Sequence, residues 1–104
     1  MNPLIQHHRE ELTRLCRAFR VQRLDVFGSA VTGGFDSRVS DLDFIVTFSD
    51  TQAGGYADRY LGLAEALERE FHRPVDLLTE RSIRNPAFRQ AVESQRERVY
   101  DERD

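Results

Sequence analysis

The sequence contains no lysine and no tryptophan, and its only cysteine is Cys16. All fifteen basic residues are arginine, which excludes mechanisms that need a lysine nucleophile, a lysine Schiff base or the lysine of a phosphate-binding P-loop. One cysteine cannot form a disulfide within the chain, and three scattered histidines do not complete a zinc site of thiolates and imidazoles. These absences favour a reducing compartment, and we expect a cytoplasmic protein.

Long apolar runs and a positive net charge are also missing. No apolar stretch is long enough to span a bilayer or to form a secretory leader, so we expect no membrane segment. The net charge of −3 argues against general nucleic-acid binding, which requires a basic surface. Hydrophobic residues make up 39% and charged residues 32% of the chain, a balance typical of a folded domain, and we predict one domain over residues 1–104.

Hydrophobic periodicity predicts helices that alternate with short strands. We predict helices over 4–19, 56–71 and 86–100, and strands over 23–28, 40–48 and 73–79. The last helix is expected to turn Phe88, Ala91, Val92 and Val99 inward. This order predicts an α/β fold, a small β-sheet covered by helices.

The second predicted strand begins with two aspartates, Asp41 and Asp43. Strand side chains alternate, so both carboxylates lie on one face, with backbones about 6.7 Å apart. Two like charges repel when partly buried, and Mg²⁺, which prefers carboxylate and phosphate oxygens, removes that conflict. A bare pair of this kind is also common as exposed charge at a strand end, so its surroundings have to decide.

Gly28 and Ser29 directly follow the first predicted strand. Glycine allows a ligand to approach the backbone closely, and a following short helix would offer free N–H groups to phosphate. A plain strand-to-helix turn explains these two residues alone equally well. A phosphate-binding turn together with the aspartate pair indicates a site for a metal and a nucleotide.

The Gly28-Ser29 pair, the eleven residues that follow it and then Asp41-Leu42-Asp43 resemble the signature of the nucleotidyltransferases of the DNA polymerase beta superfamily. Within it, the chain is similar to the minimal single-domain members, the MNT antitoxins that pair with HEPN-domain toxins. The similarity covers nearly the whole chain, including the stretches "LDVFGSA", "SDLDFIV", "VDLLT" and "NPAFRQAVESQRERVY".

The resemblance implies a minimal nucleotidyltransferase fold with a mixed sheet, and an enzyme that transfers AMP from ATP. It implies that Gly28 and Ser29 bind the triphosphate and that Asp41, Asp43 and Asp76 are catalytic carboxylates that bind two Mg²⁺ ions. The implied acceptor is a hydroxyl, that of a tyrosine, on a HEPN toxin held in a heteromeric complex. By its own pattern alone, Asp76 could equally be an ordinary strand-end aspartate.

Two departures from the family pattern stand out. The spacing is eleven residues where ten is common, and Thr32 stands where many members have an arginine, a role that Arg38 could take. Three alternatives remain open: an antitoxin that acts by binding alone, a nucleotidyltransferase for a small molecule or an RNA end, and a regulatory nucleotide-binding module. A complete aspartate trio disfavours the first, and the acidic charge and the absence of an acceptor domain disfavour the second.

Overall fold

The computed structural model describes residues 2–34, 36, 40–49 and 55–103. The helices are α1 (Pro3–His7), α2 (Arg9–Ala18), α3 (Ser29–Thr32), α4 (Tyr56–Phe71) and α5 (Pro86–Gln95), and a short 3₁₀ helix spans Glu80–Ser82. The strands are β1 (Val21–Phe27), β2 (Leu42–Phe48), β3 (Val75–Thr79) and β4 (Glu97–Asp101). Among these described residues, no helix has both the length and the apolar character needed to cross a membrane.

The four strands form one mixed sheet in the order β3-β2-β1-β4. β1 pairs antiparallel with both β2 and β4, whereas β2 and β3 run parallel. β2 is central and has the most continuous apolar sequence, as expected for a strand that is covered on both faces. The prediction of a small mixed sheet covered by helices is confirmed.

One face of the sheet carries the main hydrophobic core, against α1, α2 and α4. The fully buried side chains of this core include Ile5, Leu12, Cys16, Leu24, Leu42, Phe44, Leu63 and Leu67. Burying each large apolar side chain contributes about 1.5–3 kcal/mol, so this face supplies most of the hydrophobic stabilisation. Burial also raises the pKa of the Cys16 thiol to about 12, which keeps it protonated and unreactive.

The first predicted helix, over 4–19, is divided in two at His8. This residue leaves the helical conformation, and its backbone N–H bonds to the carbonyls of Leu4 and Ile5. Its imidazole lies 2.6 Å from the Glu70 carboxylate and packs its ring on Phe71, with centroids 4.8 Å apart. The break thus lets His8 join α2 to the end of α4.

The opposite face carries a smaller apolar cluster, Phe27, Ile45, Ile83 and Val92, under α5. Because α5 has only ten residues, it covers only part of this face. The aspartates identified in the sequence belong to this same face.

The prediction of one helix over 86–100 is wrong in its second half. α5 ends at Gln95, Arg96 is extended (φ −72°, ψ 141°), and the chain continues as β4, paired with β1. Val99 is buried as predicted, but from a strand, while Phe88 and Ala91 are exposed. The charged segment has a helix-like composition, and only hydrogen bonding to the open edge of β1 makes it a strand.

Candidate active site

Asp41 and Asp43 lie at the start of the central strand. Asp41 directly precedes β2 and is exposed, whereas Asp43 is the second residue of the strand and is partly buried. Leu42 and Phe44 point to the main core and are completely buried. The alternation of strand side chains therefore puts Asp43 on the opposite face, as the sequence pattern predicts.

Asp43 has a defined neighbour on each side across the sheet. Its Cα pairs with that of Phe27 on β1 and with that of Asp76 on β3. Because paired residues of adjacent strands project to the same face, the structure brings Asp43 and Asp76 together, about 4.8 Å apart at the backbone. Asp76 is exposed, and β3 is an edge strand, so this carboxylate is open to a second molecule.

The electrostatics of Asp43 reflect this crowding. Burial, the charge of Asp76, a side-chain hydrogen bond with Asp76 and the charge of Asp41 together raise the pKa of Asp43 from 3.8 to about 6. A hydrogen bond between two carboxyl groups requires one of them to carry a proton. The pair is therefore well suited to exchange that proton for a cation, which satisfies both carboxylates at once.

The glycine turn lies directly against Asp43. Gly28 has φ +74°, and a Cβ atom at this position would lie 2.5 Å from the Oδ2 atom of Asp43. Both the left-handed backbone and the close approach require glycine here. The carbonyl of Gly28 accepts hydrogen bonds from the N–H groups of Val31 and Thr32 in the short helix α3, so the backbone of Gly28 and Ser29 lies beside the carboxylate.

The residues present fit a hard divalent cation in their chemistry. No three histidine, cysteine or acidic side chains converge as metal ligands anywhere in the described ranges. Asp43 and Asp76 are paired in register, and the charge of the exposed Asp41 contributes to the raised pKa of Asp43. Carboxylate oxygens such as those of Asp43 and Asp76, completed by phosphate and water, are the ligands that Mg²⁺ prefers.

The structure describes only one of the two residues named above in connection with the missing phosphate-binding arginine. Thr32 ends α3 and is exposed. Arg38, the candidate replacement for a phosphate-binding arginine, lies outside the described residues.

Sequence reasoning did not assign a role to Asp25, which is only 1% exposed. Its carboxylate accepts hydrogen bonds from Arg96, at 2.6 Å, and from Arg98. The available signal was a lone carboxylate within an apolar strand, since a buried charge demands a partner. Its partners could not be identified from spacing, because they lie more than seventy positions away along the chain.

Comparison with known proteins identifies the chain's relatives. The model of the family described as "Nucleotidyltransferase domain" matches residues 8–100. A candidate protein adenylyltransferase of Methanocaldococcus jannaschii is 33% identical over 75 residues, which cover 72% of this chain and 73% of the relative.

Solved structures show the same fold. A candidate minimal nucleotidyltransferase superposes with a TM-score of 0.70 at 29% identity, over 88% of this chain and 89% of that one. A toxin–antitoxin structure with AMP-PNP gives 0.66 at 25% identity, over 89% and 73%. An MNT antitoxin in complex with a tri-AMPylated HEPN toxin of Shewanella oneidensis gives 0.64 at 24% identity, over 95% and 74%, a likeness of fold alone. The resemblance to minimal nucleotidyltransferases of the MNT antitoxin type is confirmed.

Proposed function

The chain belongs to the nucleotidyltransferase domain family, and we propose that it is a protein adenylyltransferase that transfers AMP from ATP to a hydroxyl group of a partner protein. The observation that carries this proposal is the in-register pairing of Asp43 with Asp76 beside the Gly28 turn, where the pKa of Asp43 is raised to about 6. A carboxylate pair of this kind does not stabilise the fold, whereas nucleotidyl transfer requires one.

Asp41, Asp43 and Asp76 are the residues that would hold two Mg²⁺ ions. When bound, Mg²⁺ supplies the charge that neutralises the triphosphate and lowers the pKa of an attacking hydroxyl. Asp43 is the most buried of the three aspartates, and its strand β2 lies between β1 and β3. We therefore assign it the central role in orienting ATP. To Asp76, which is exposed on the edge strand, we assign the role of accepting the proton of the incoming hydroxyl.

Gly28 and Ser29 would bind the β- and γ-phosphates through backbone N–H groups and the serine hydroxyl. The acceptor oxygen would attack the α-phosphorus and form the new P–O bond. The bond from the α-phosphorus to the bridging oxygen of the β-phosphate would break, and pyrophosphate would leave opposite the attacking oxygen. The acceptor proton passes to Asp76, so charges and atoms balance in a single displacement.

The proposed partner is a HEPN-domain toxin, and the proposed acceptor is one of its tyrosines. Two observations support this choice: the curated relative is a candidate protein adenylyltransferase, and one structural neighbour is an MNT antitoxin bound to a tri-AMPylated HEPN toxin. In the cell, this chain would thus be the antitoxin of a pair, and it would form a heteromeric complex with the toxin that it modifies.

The test is a mass measurement on the protein encoded beside this chain, which the proposal requires to be a HEPN-domain protein. Incubated with the wild-type chain, ATP and Mg²⁺, the partner should gain the mass of one or more AMP groups on tyrosine. Asp43→Asn should abolish the gain. Asp58→Asn, which removes an exposed carboxylate from α4, is the matched control and should leave the gain intact.

Other outcomes select the alternatives. If the partner's mass stays unchanged while its toxicity is suppressed by wild type and Asp43→Asn alike, the chain is an antitoxin that acts by binding alone. If ATP is consumed only when a small molecule or an RNA end is supplied, the acceptor is not a protein. Mg²⁺·ATP bound without any transfer would indicate a regulatory module.

A further inference from the structure

Phe88 is an apolar side chain exposed on the face of the sheet that carries the aspartates. Among the described residues, two large hydrophobic side chains are exposed, Leu61 at 58% and Phe88 at 43%. Leu61 belongs to α4, which packs on the opposite face. Phe88 belongs to α5, which covers the smaller cluster beside the candidate active site.

The first turn of α5 holds Phe88 in place. Pro86 starts the helix, and the side chain of Asn85 accepts a hydrogen bond from the N–H of Phe88 at 3.1 Å. The next residue, Arg89, donates to the backbone carbonyls of Glu80 and Ile83 at 2.8 and 3.1 Å. These bonds tie the helix start to the segment before it, so Phe88 is exposed from a fixed backbone.

The exposed ring of Phe88 contacts a residue next to the candidate active site. It meets the ring of Phe27 edge to face, with centroids 6.4 Å apart. Phe27 immediately precedes Gly28 and pairs in register with Asp43. Since neighbouring strands are about 4.8 Å apart, only the Phe27 ring and one strand spacing separate the Phe88 ring from Asp43.

We propose that Phe88 is the platform on which the adenine of the donor nucleotide stacks. This inference rests on the proposed function, which places the triphosphate at Gly28 and the aspartates. A nucleotide held there extends its ribose and base away from the phosphates, and a flat apolar surface is what the face of a purine prefers. The edge-to-face contact with Phe27 holds the ring of Phe88, which remains 43% exposed.

The proposal also explains why phenylalanine is exposed at this position. Helical periodicity assigns Phe88 to the interior, and a phenylalanine that stays 43% exposed forgoes part of the stabilisation that full burial provides. Stacking on a base recovers that contact only when nucleotide is bound. Base–aromatic stacking contributes about 1–3 kcal/mol per base, equivalent to about 5- to 150-fold in affinity.

The test separates the base from the phosphates. Calorimetry would measure the binding of Mg²⁺ with a non-hydrolysable ATP analogue, and of Mg²⁺ with inorganic tripolyphosphate, which has no base. For Phe88→Ala, we expect affinity for the ATP analogue to fall by about 5- to 150-fold, with tripolyphosphate binding unchanged. Phe88→Tyr should retain binding, and Leu61→Ala, the other exposed apolar side chain, should bind both ligands as wild type does.

Each outcome has a separate meaning. Wild-type protein that binds neither ligand would overturn the proposed function itself. Wild-type protein that binds both, with Phe88→Ala binding the ATP analogue equally well, would overturn the base platform alone. Weakened binding of the HEPN partner with unchanged nucleotide binding would make Phe88 a partner contact and also overturn it. If Phe88→Ala melts below wild type, a second variant is needed. Phe88→Leu keeps the apolar volume and removes the flat ring, and it should show the same loss of affinity for the ATP analogue.

Discussion

Two aspartates on the same face of the sheet have opposite electrostatic surroundings. Asp25, in the middle of β1, is 1% exposed and contacts the guanidinium groups of Arg96 and Arg98. Asp43, near the start of β2, is partly buried and contacts Asp76 instead. The two strands are adjacent, so the contrast arises from partners and not from location in the fold.

The comparison separates a structural carboxylate from the one to which we assign a function. The arginines of Asp25 belong to a larger network, in which Arg96 also binds the carboxylate of Glu80 through two hydrogen bonds, at 2.9 and 2.7 Å. Hydrogen bonds from Arg96 and Arg89, with their charges, lower the pKa of Glu80 to about 2 despite partial burial. This network joins β1, the 3₁₀ helix and the end of α5. Within the described part of the chain, the charges that shift the pKa of Asp43 are those of Asp76 and Asp41, and a bound cation would compensate them.

The largest loss of stability should come from removing the charge of Asp25, which the two arginines compensate. Asp25→Asn keeps the shape and removes the charge, leaving Arg96 and Arg98 without their buried partner. We expect the free energy of unfolding to fall by about 3 kcal/mol, near the low end for a broken buried ion pair because Arg98 is partly exposed. Metal-free Asp43→Asn should unfold no more easily than wild type, because it relieves repulsion. Urea denaturation of both variants measures the difference.

This prediction would be wrong if Asp25→Asn unfolded with the wild-type free energy. A metal-free Asp43→Asn protein that unfolds far more easily than wild type would make the aspartates a structural network and remove the physical basis of the proposed metal site.

The second effect concerns ligand. Wild-type protein should gain about 2.7 kcal/mol of stability from Mg²⁺·ATP supplied at a hundredfold excess over its dissociation constant. Asp43→Asn should gain far less, because the substitution removes a proposed metal ligand. Asp25→Asn, although less stable, should keep the full gain, since its carboxylate is already occupied by arginine. Thermal melts with and without Mg²⁺·ATP compare the three proteins, and equal gains in all three would contradict the assignment of the two roles.

The third effect is on pH dependence without metal. Asp43 has a folded-state pKa of about 6, above its ordinary 3.8. Its favourable contribution to stability is therefore complete below pH 3.8 and is lost as pH rises through 6. Glu80 has a folded-state pKa of about 2, below its ordinary 4.5, so its contribution is present above 4.5 and is lost as pH falls towards 2. These two groups therefore favour a stability maximum in mildly acidic solution.

Unfolding free energies measured across a pH series check this predicted maximum. Asp43→Asn should flatten the profile between pH 4 and pH 7, and Glu80→Gln should flatten it below pH 4.5. A wild-type protein whose metal-free stability rises steadily from pH 5 to pH 7 would show that Asp43 is not strained.

The smallest effect should be that of Asp41→Asn in the absence of metal. Asp41 is exposed, and its charge is the last of the causes that raise the pKa of Asp43. Solvent screens such a charge, so we expect a change in unfolding free energy within about 0.5 kcal/mol, in the stabilising direction. Denaturation alongside metal-free Asp43→Asn measures it, and a larger gain for Asp41→Asn than for Asp43→Asn would reverse the assignment of Asp43 as the more strained carboxylate.

Elements with a long or regular pattern were predictable. The helix predicted over 56–71 coincides with α4, because four turns of apolar spacing outweigh local variation. The cores of β1, β2 and β3 were predicted with small errors at their ends. The shared face of Asp43 and Ile45 follows from strand alternation alone.

Elements that depend on distant partners were not predictable. The segment 97–101 carries alternating charges and reads as the end of a helix, yet it pairs with β1. Phe88 follows the apolar spacing of α5, yet α5 covers a cluster too small to bury it. In both cases the outcome depends on which surface lies opposite, and spacing within the segment holds no information about that surface.

The sequence by itself determined the glycine turn, the aspartate pair and the periodic helices, because each depends on residues within a few positions of one another. Only the tertiary structure decided that Asp76 would stand beside Asp43 and that Arg96 would compensate Asp25, because strand pairing brings together residues 33 and 71 positions apart. Charge interactions act through space, so the difference between a strained carboxylate and a compensated one appears only when the chain is folded.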